Sequence, residues 1–221
     1  MLRDWRQALL DLLFPPKCPV CKKRVATHGT WCPVCKRQVL VPREVSVAGH
    51  HMAFLERCMA VCEYTGGLKR LIHDLKFRRK AAAAAYLVAL LEEGFRQEWL
   101  VGVDAVVPVP LHSARLAERG YNQTELIFRP WAKRHNLVWL GDALVRSRET
   151  VPQWELPLKE RKKNLQGAFA VIRPGLVAGR HILLVDDIIT GGVTMNECAR
   201  VLKKAGAARV SGLALASGAR Q

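Results

Sequence analysis

Residues 182–194 read Ile-Leu-Leu-Val-Asp-Asp-Ile-Ile-Thr-Gly-Gly-Val-Thr, and this stretch decides how the rest of the chain is understood. The run from His181 to Asp187 is apolar and closes on two adjacent carboxylates, the pattern of a buried strand reaching its C-terminal end. A turn containing Gly191 and Gly192 follows, then a helix over 194–205 that stops at Gly206, then a strand over 210–216. Ligands of open α/β sheets bind at the carboxyl ends of the strands. A glycine turn can aim several backbone N–H groups at one anion, and the next helix adds unpaired N–H donors and a partial positive charge. Asp186 and Asp187 would repel a bare phosphate, so they are better matched to ligand hydroxyls or to a phosphate-bound Mg²⁺ just outside the cradle. A sugar phosphate satisfies both demands.

Outward from this segment, strands and helices alternate. Residues 58–64 and 104–110 read as strands, as do the shorter 142–146 and 168–172. Gly66-Gly67 reads as a turn before a helix over 68–75; further helices are expected over 81–98 and 121–135. Residues 76–80, Lys-Phe-Arg-Arg-Lys, form a basic break, and 147–167 is a long, polar, basic loop expected to move. Alternation of this kind implies an α/β fold: a parallel sheet flanked by helices on both faces.

A chain of 221 residues can bury one main core and carry a small appendage. Its net charge of +16 favours polyanionic partners, phosphorylated metabolites or nucleic acid, without choosing between them. Residues 2–13 have helical amphipathic spacing ending at Pro15-Pro16; the stretch lacks a signal-peptide cleavage site, and no apolar run is long enough for a transmembrane segment, so a soluble cytoplasmic protein is expected. Next comes a duplicated Cys-Pro-Val-Cys-Lys, placing Cys18, Cys21, Cys32 and Cys35 at the spacing of a structural Zn²⁺ site. A redox pair is the competing reading, but a duplicated motif on a segment without its own core fits a metal better. His28 reads as a surface residue, and Cys58, Cys62 and Cys198 as core residues. Trp131 and Trp139 read as packed, whereas Trp154 falls in the polar loop. The expected divisions are an N-terminal helix (1–14), a zinc-ribbon module (15–40) and a main domain (55–221). No GxxxxGK[ST] motif is present, which argues against a motor of its own.

The segment 182–194 resembles the binding motif for phosphoribosyl pyrophosphate (PRPP) of type I phosphoribosyltransferases. With Lys76-Phe77, Val-Pro-Val-Pro-Leu-His (107–112), Arg-Gly-Tyr-Asn-Gln (119–123), Arg146, Thr150, Gln153, Arg161, Asn164 and Gly-Ala-Phe (167–169), the chain resembles the ComF (GntX-like) family of competence-associated proteins, which joins a zinc ribbon to that fold. The resemblance implies PRPP and Mg²⁺ as ligands, with Asp186 and Asp187 at the ribose hydroxyls. Ile188 and Ile189 would lead into Thr190, Gly191, Gly192, Val193 and Thr194, which would hold the 5′-phosphate. Gly191 stands where the family commonly has a second threonine, so one hydroxyl is lost. The loop Leu111, His112 to Arg115 would face pyrophosphate, and the 147–167 segment, with Arg148, Arg161, Lys162 and Lys163, would cover it. Arg119 is either a pyrophosphate ligand or a solvated residue at a helix start. Lys76 is either a pyrophosphate ligand or, with Arg78, Arg79 and Lys80, part of an exposed face for nucleic acid. Two functions follow: a phosphoribosyltransferase-like enzyme of unassigned acceptor, or a silent sensing module that engages single-stranded DNA or the DNA-uptake machinery.

Overall fold

The structure, a computed structural model, describes residues 11–148 and 164–218. Most of the expected N-terminal helix, and Thr150, Gln153, Trp154, Arg161, Lys162 and Lys163, lie outside the described residues.

A six-stranded sheet forms the centre, in the order β1-β2-β8-β7-β3-β4. Its strands are β1 (Leu40–Glu44), β2 (Cys58–Glu63), β3 (Ala105–Pro108), β4 (Val138–Trp139), β7 (His181–Ile189) and β8 (Arg209–Ser217). All pairings are parallel except that of β1 with β2, so the expected parallel sheet gains an antiparallel edge. Sequence reading missed β1 because Pro42 interrupts it; proline cannot donate to a ladder and is tolerated only at an edge, here beside an irregular register. The smaller hairpin β5 (Leu144–Arg146) and β6 (Phe169–Val171) stands apart from this sheet.

Side chains alternate across the strands and build a core on each face. Met59, Val61, Val106, Leu183 and Val185 face helices α2 (Gly66–Phe77), α3 (Ala83–Gly94) and α5 (Gln123–Arg134). Ala60, Val107, Ile182 and Leu184 face helix α6 (Val193–Lys204) and the β5–β6 hairpin. Burying both faces is what turns β2, β3 and β7 into near-continuous apolar runs.

Three expectations about elements are corrected. Gly66 and Gly67 are the first residues of α2 rather than a turn before it; Gly66 enters at φ +47°, and Val20 abuts Gly67 so closely that a Cβ there would lie 2.1 Å from it. The helix expected over 81–98 is α3 alone, which stops at Gly94 where a Cβ would strike Val61 and Leu40, followed by a 3₁₀ turn at Gln97–Leu100. Third, the loop expected over 111–115 ends at His112, and Ser113–Arg119 forms a helix, α4.

The cysteine segment, including the short helix α1 (Pro33–Arg37), packs into the same core as the sheet. Cys18, Trp31, Cys32 and Cys35 are buried beside Leu87, and Trp31 Nε1 donates to the Tyr86 carbonyl (2.9 Å).

Candidate functional site

Parallel pairing brings the ends of β2, β3, β7 and β8 to one edge of the sheet, and there the sequence-predicted residues converge. Strand β7 runs to Ile189, two residues beyond the expected end, so both carboxylates sit within it. The phosphate-loop candidates Thr190, Gly191 and Gly192 follow directly, and Val193 opens α6. Gly192 occupies the left-handed region (φ +71°), and a Cβ there would lie 2.4 Å from Met52 Sδ. Both facts require glycine. Gly192 also caps α6 without any side-chain hydrogen bond, so the first amides of the helix keep their donors for an outside acceptor. With Asp186, Ile188, Ile189, Val193, Thr194 and Met195, this loop lines a pocket of about 360 Å³ including its open mouth.

The two carboxylates have different surroundings. Asp187, 2 % exposed, faces Lys76 Nζ, at 3.0 Å from Oδ1 and 2.8 Å from Oδ2. Only Oδ1 receives an aligned hydrogen bond; Oδ2 is buried with the ammonium close by but no directed donor. Asp186 Oδ1 accepts from the Asp187 amide (2.8 Å) and from Thr124 Oγ1 (3.3 Å). Burial pushes the Asp186 carboxyl upward, and the Asp187 charge pushes the same way against the opposing pull of Lys76. Ligand hydroxyls or a cation at this point would favour its ionised form. The donor set therefore fits a diol or a hard divalent ion.

Lys76 and its neighbours part company in the fold. Lys76 turns inward to Asp187, whereas Arg78, Arg79 and Lys80 are exposed, and Asp74 pairs with Arg78 (3.4 Å) and Lys80 (2.8 Å). Arg119 corrects the solvated, helix-start reading: it is the last residue of α4 and 8 % exposed, its Nη1 bonds Gln123 Oε1, and its guanidinium carbon lies 5.8 Å from the Phe77 ring centroid. Burial lowers its pKa, while the charge of Asp187 pulls it back up. Leu111 and His112 are partly buried before α4, His112 Nδ1 accepts weakly from the Ala114 amide (3.4 Å), and Arg115 lies on the helix.

Sequence reading left several site residues without a role. Asn122 caps α5 through the Thr124 amide (2.9 Å) and donates to the Val109 carbonyl (3.2 Å), tying the end of β3 to the helix that carries Thr124. Asn122, Gln123 and Thr124 thus position the loop, Arg119 and Asp186 in turn. Arg146 faces Asp186 electrostatically from β5 and lies 5.6 Å from the Phe169 ring centroid; burial lowers its pKa. The signal for it was the isolated arginine at a strand end.

At the other end of the chain, ligand atoms of Cys18, Cys21, Cys32 and Cys35 lie within 4.8 Å of one another. Burial raises Cys18, but amide hydrogen bonds from Cys32, Cys21 and Val20 outweigh it; burial and the neighbouring sulfurs raise Cys35. Four soft ligands so crowded suit one tetrahedral Zn²⁺, whose charge would hold them all as thiolates. His28 is bonded to Asp11 (3.0 Å) on the surface, outside this set. Burial pushes the Cys58 and Cys62 thiols up to about 12, and Cys198 also goes well up, as inert core residues do. Among the described residues no helix is long and apolar enough to cross a membrane.

Comparison with known proteins adds to this geometry. Residues 9–47 match the double zinc ribbon domain, although four cysteines supply only one tetrahedral set there, and residues 144–220 match the phosphoribosyl transferase domain. The chain is 38 % identical over 159 residues to the DNA utilization protein YhgH of Escherichia coli K12, covering 70 % of this chain and 69 % of that protein. It is 30 % identical over 156 residues to competence protein F of Haemophilus influenzae, covering 68 % of each. Competence protein ComFC of Bacillus subtilis is 24 % identical over 203 residues, 90 % of this chain and 76 % of that protein.

Proposed function

The chain belongs to the ComF-like family, and from that premise we propose that it binds PRPP with Mg²⁺ at the carboxyl edge of the sheet, in a role associated with competence and DNA uptake. The observation that carries this reading is the continuity of Asp186 and Asp187 with a donor-rich glycine turn, one matched to a pentose diol and the other to a terminal phosphate.

In this reading the amides after Gly191 and the hydroxyls of Thr190 and Thr194 hold the 5′-phosphate, and the carboxylates hold the ribose hydroxyls. Lys76, Arg119 and Arg146 bring three partly or fully buried cations to two carboxylates, a surplus that a pyrophosphate group would neutralise. Leu111, His112 and Arg115 border the same edge, and Arg161 is assigned to the cover over it. Mg²⁺, when bound with the ligand, would neutralise pyrophosphate charge as that group departs. The protein's own residues would then act by positioning and by charge, since no side chain here is placed as a covalent nucleophile or general base. A second reading, contact with single-stranded DNA, rests on the +16 charge and the exposed Lys69, Arg70, Arg78 and Arg79 of α2 and its end. Salt-dependent strand retention should weaken when these four are neutralised; unchanged retention removes them.

The pocket is tested by calorimetric titration of PRPP with Mg²⁺ into wild type and Asp186→Asn/Asp187→Asn. Heat in the wild type and its loss in the variant are expected. No heat in either protein would contradict the proposal.

A further inference from the structure

Helix α2 buries Leu68, Ile72 and Leu75 completely, yet its last residue, Phe77, is 55 % exposed. This ring sits at the rim of the site. One neighbour is the guanidinium of Arg119, which interacts with Asp187; the residue before it, Lys76, contacts the same carboxylate. A second is the His73 ring, at 4.8 Å between centroids and inclined by 42°. Arg119 is 8 % exposed, so the phenyl ring is part of what screens a buried cation from water while much of its own surface stays open. Stacking of Arg119 alone does not require an exposed aromatic; an aliphatic chain would cover the guanidinium as well and leave less apolar surface in water.

An open aromatic face beside a cationic pocket, with exposed Arg78, Arg79 and Lys80 at its edge, complements a ligand that is planar at one end and anionic at the other. We propose that Phe77 is the stacking platform for the nucleobase of a nucleoside 5′-phosphate whose phosphate occupies the Thr190–Thr194 loop. This rests on the reading of that loop as a sugar-phosphate site, and it supplies what that reading lacks: the class of group carried at or delivered to the far side of the ribose. A flat apolar platform selects an aromatic heterocycle over an aliphatic or amine acceptor. It discriminates weakly among bases, because every base presents a π face.

The experiment measures binding of ribose 5-phosphate and of adenosine 5′-monophosphate to wild type, Phe77→Leu and Phe77→Tyr by titration calorimetry, with an oligothymidylate as a third probe. Phe77→Leu should bind the nucleotide about tenfold more weakly, the scale of one lost base–aromatic stack. Phe77→Tyr should match wild type, and ribose 5-phosphate should bind all three proteins equally, which also shows that the leucine variant is folded. Equal nucleotide affinity in wild type and Phe77→Leu, with ribose 5-phosphate bound, overturns the platform but leaves the phosphate loop standing. Dependence on Phe77 for the oligonucleotide and not for the nucleotide overturns it too, and gives the ring to strand binding. Failure of ribose 5-phosphate to bind wild type removes the sugar-phosphate reading and the platform with it.

Discussion

Replacing Lys76 by methionine removes the cation from Asp187 while keeping the length of the side chain. Asp187 has 3 % of its side chain exposed and Lys76 has 22 %, so the carboxylate is left in protein and the vacated space is only partly reachable by water. Breaking a buried pair at one partner costs about 3–5 kcal/mol. The partial exposure of Lys76 and the nearby Arg119 charge place this case nearer ~2–3 kcal/mol. For a chain of this size that corresponds to a fall of roughly 5–10 °C in Tm, readable by thermal or urea unfolding followed through tryptophan fluorescence. Adding Asp187→Asn should restore much of the loss, because the neutral amide no longer needs a counter-charge. If Lys76→Met unfolds within about 0.5 kcal/mol of wild type, or if Asp187→Asn fails to rescue it, the pairing is not a structural element of the site.

Other expectations follow from single contacts. Gly192→Ala places a methyl against Met52 at a strained φ, and should weaken PRPP binding at least about tenfold by moving the amides of the loop, as titration calorimetry will show; undiminished affinity would mean the loop tolerates the shift. His181 is 5 % exposed, its ring nitrogens lie 3.0 Å from the Gly102 carbonyl and 2.9 Å from Ser211 Oγ, and burial, then Arg209, depress its pKa. The unfolded chain therefore takes up this proton at higher pH than the folded one, so its contribution is present above about pH 6.5 and is lost as pH falls below that. Urea unfolding between pH 7.5 and 5.5 should show that slope in wild type and a shallower one in His181→Gln; equal slopes would count against it. Cys18→Ser should lower bound zinc in metal analysis of the purified protein and, through Trp31 and the shared core, lower thermal stability as well; equal metal content would defeat the assignment.

What was legible in the sequence was what depends on neighbours along the chain. The apolar run, paired acids and glycines of 182–194 specify strand, site and helix within one short stretch, and the duplicated Cys-x-x-Cys supplies a complete ligand set. Phase across the fold was not legible. Lys76, Arg78, Arg79 and Lys80 are chemically alike, and only the position of Asp187, 111 residues later, selects the first of them. Arg119 was misread for the same reason: α4 was taken as a loop, so its last residue looked solvated, when Gln123 and Phe77 bury it. Pro42 concealed the edge strand. Gly94 ended a helix of strong propensity because Val61 and Leu40 leave no room for a Cβ, a constraint set by the sheet beneath.

The account stands or falls on where a phosphorylated pentose lies. A crystal structure of the protein with PRPP and Mg²⁺ should place the 5′-phosphate within hydrogen-bonding distance of the amides of Gly191–Thr194, with the ribose hydroxyls on Asp186 and Asp187. A phosphate held instead by Arg78–Lys80, or a ribose turned away from both carboxylates, would contradict it.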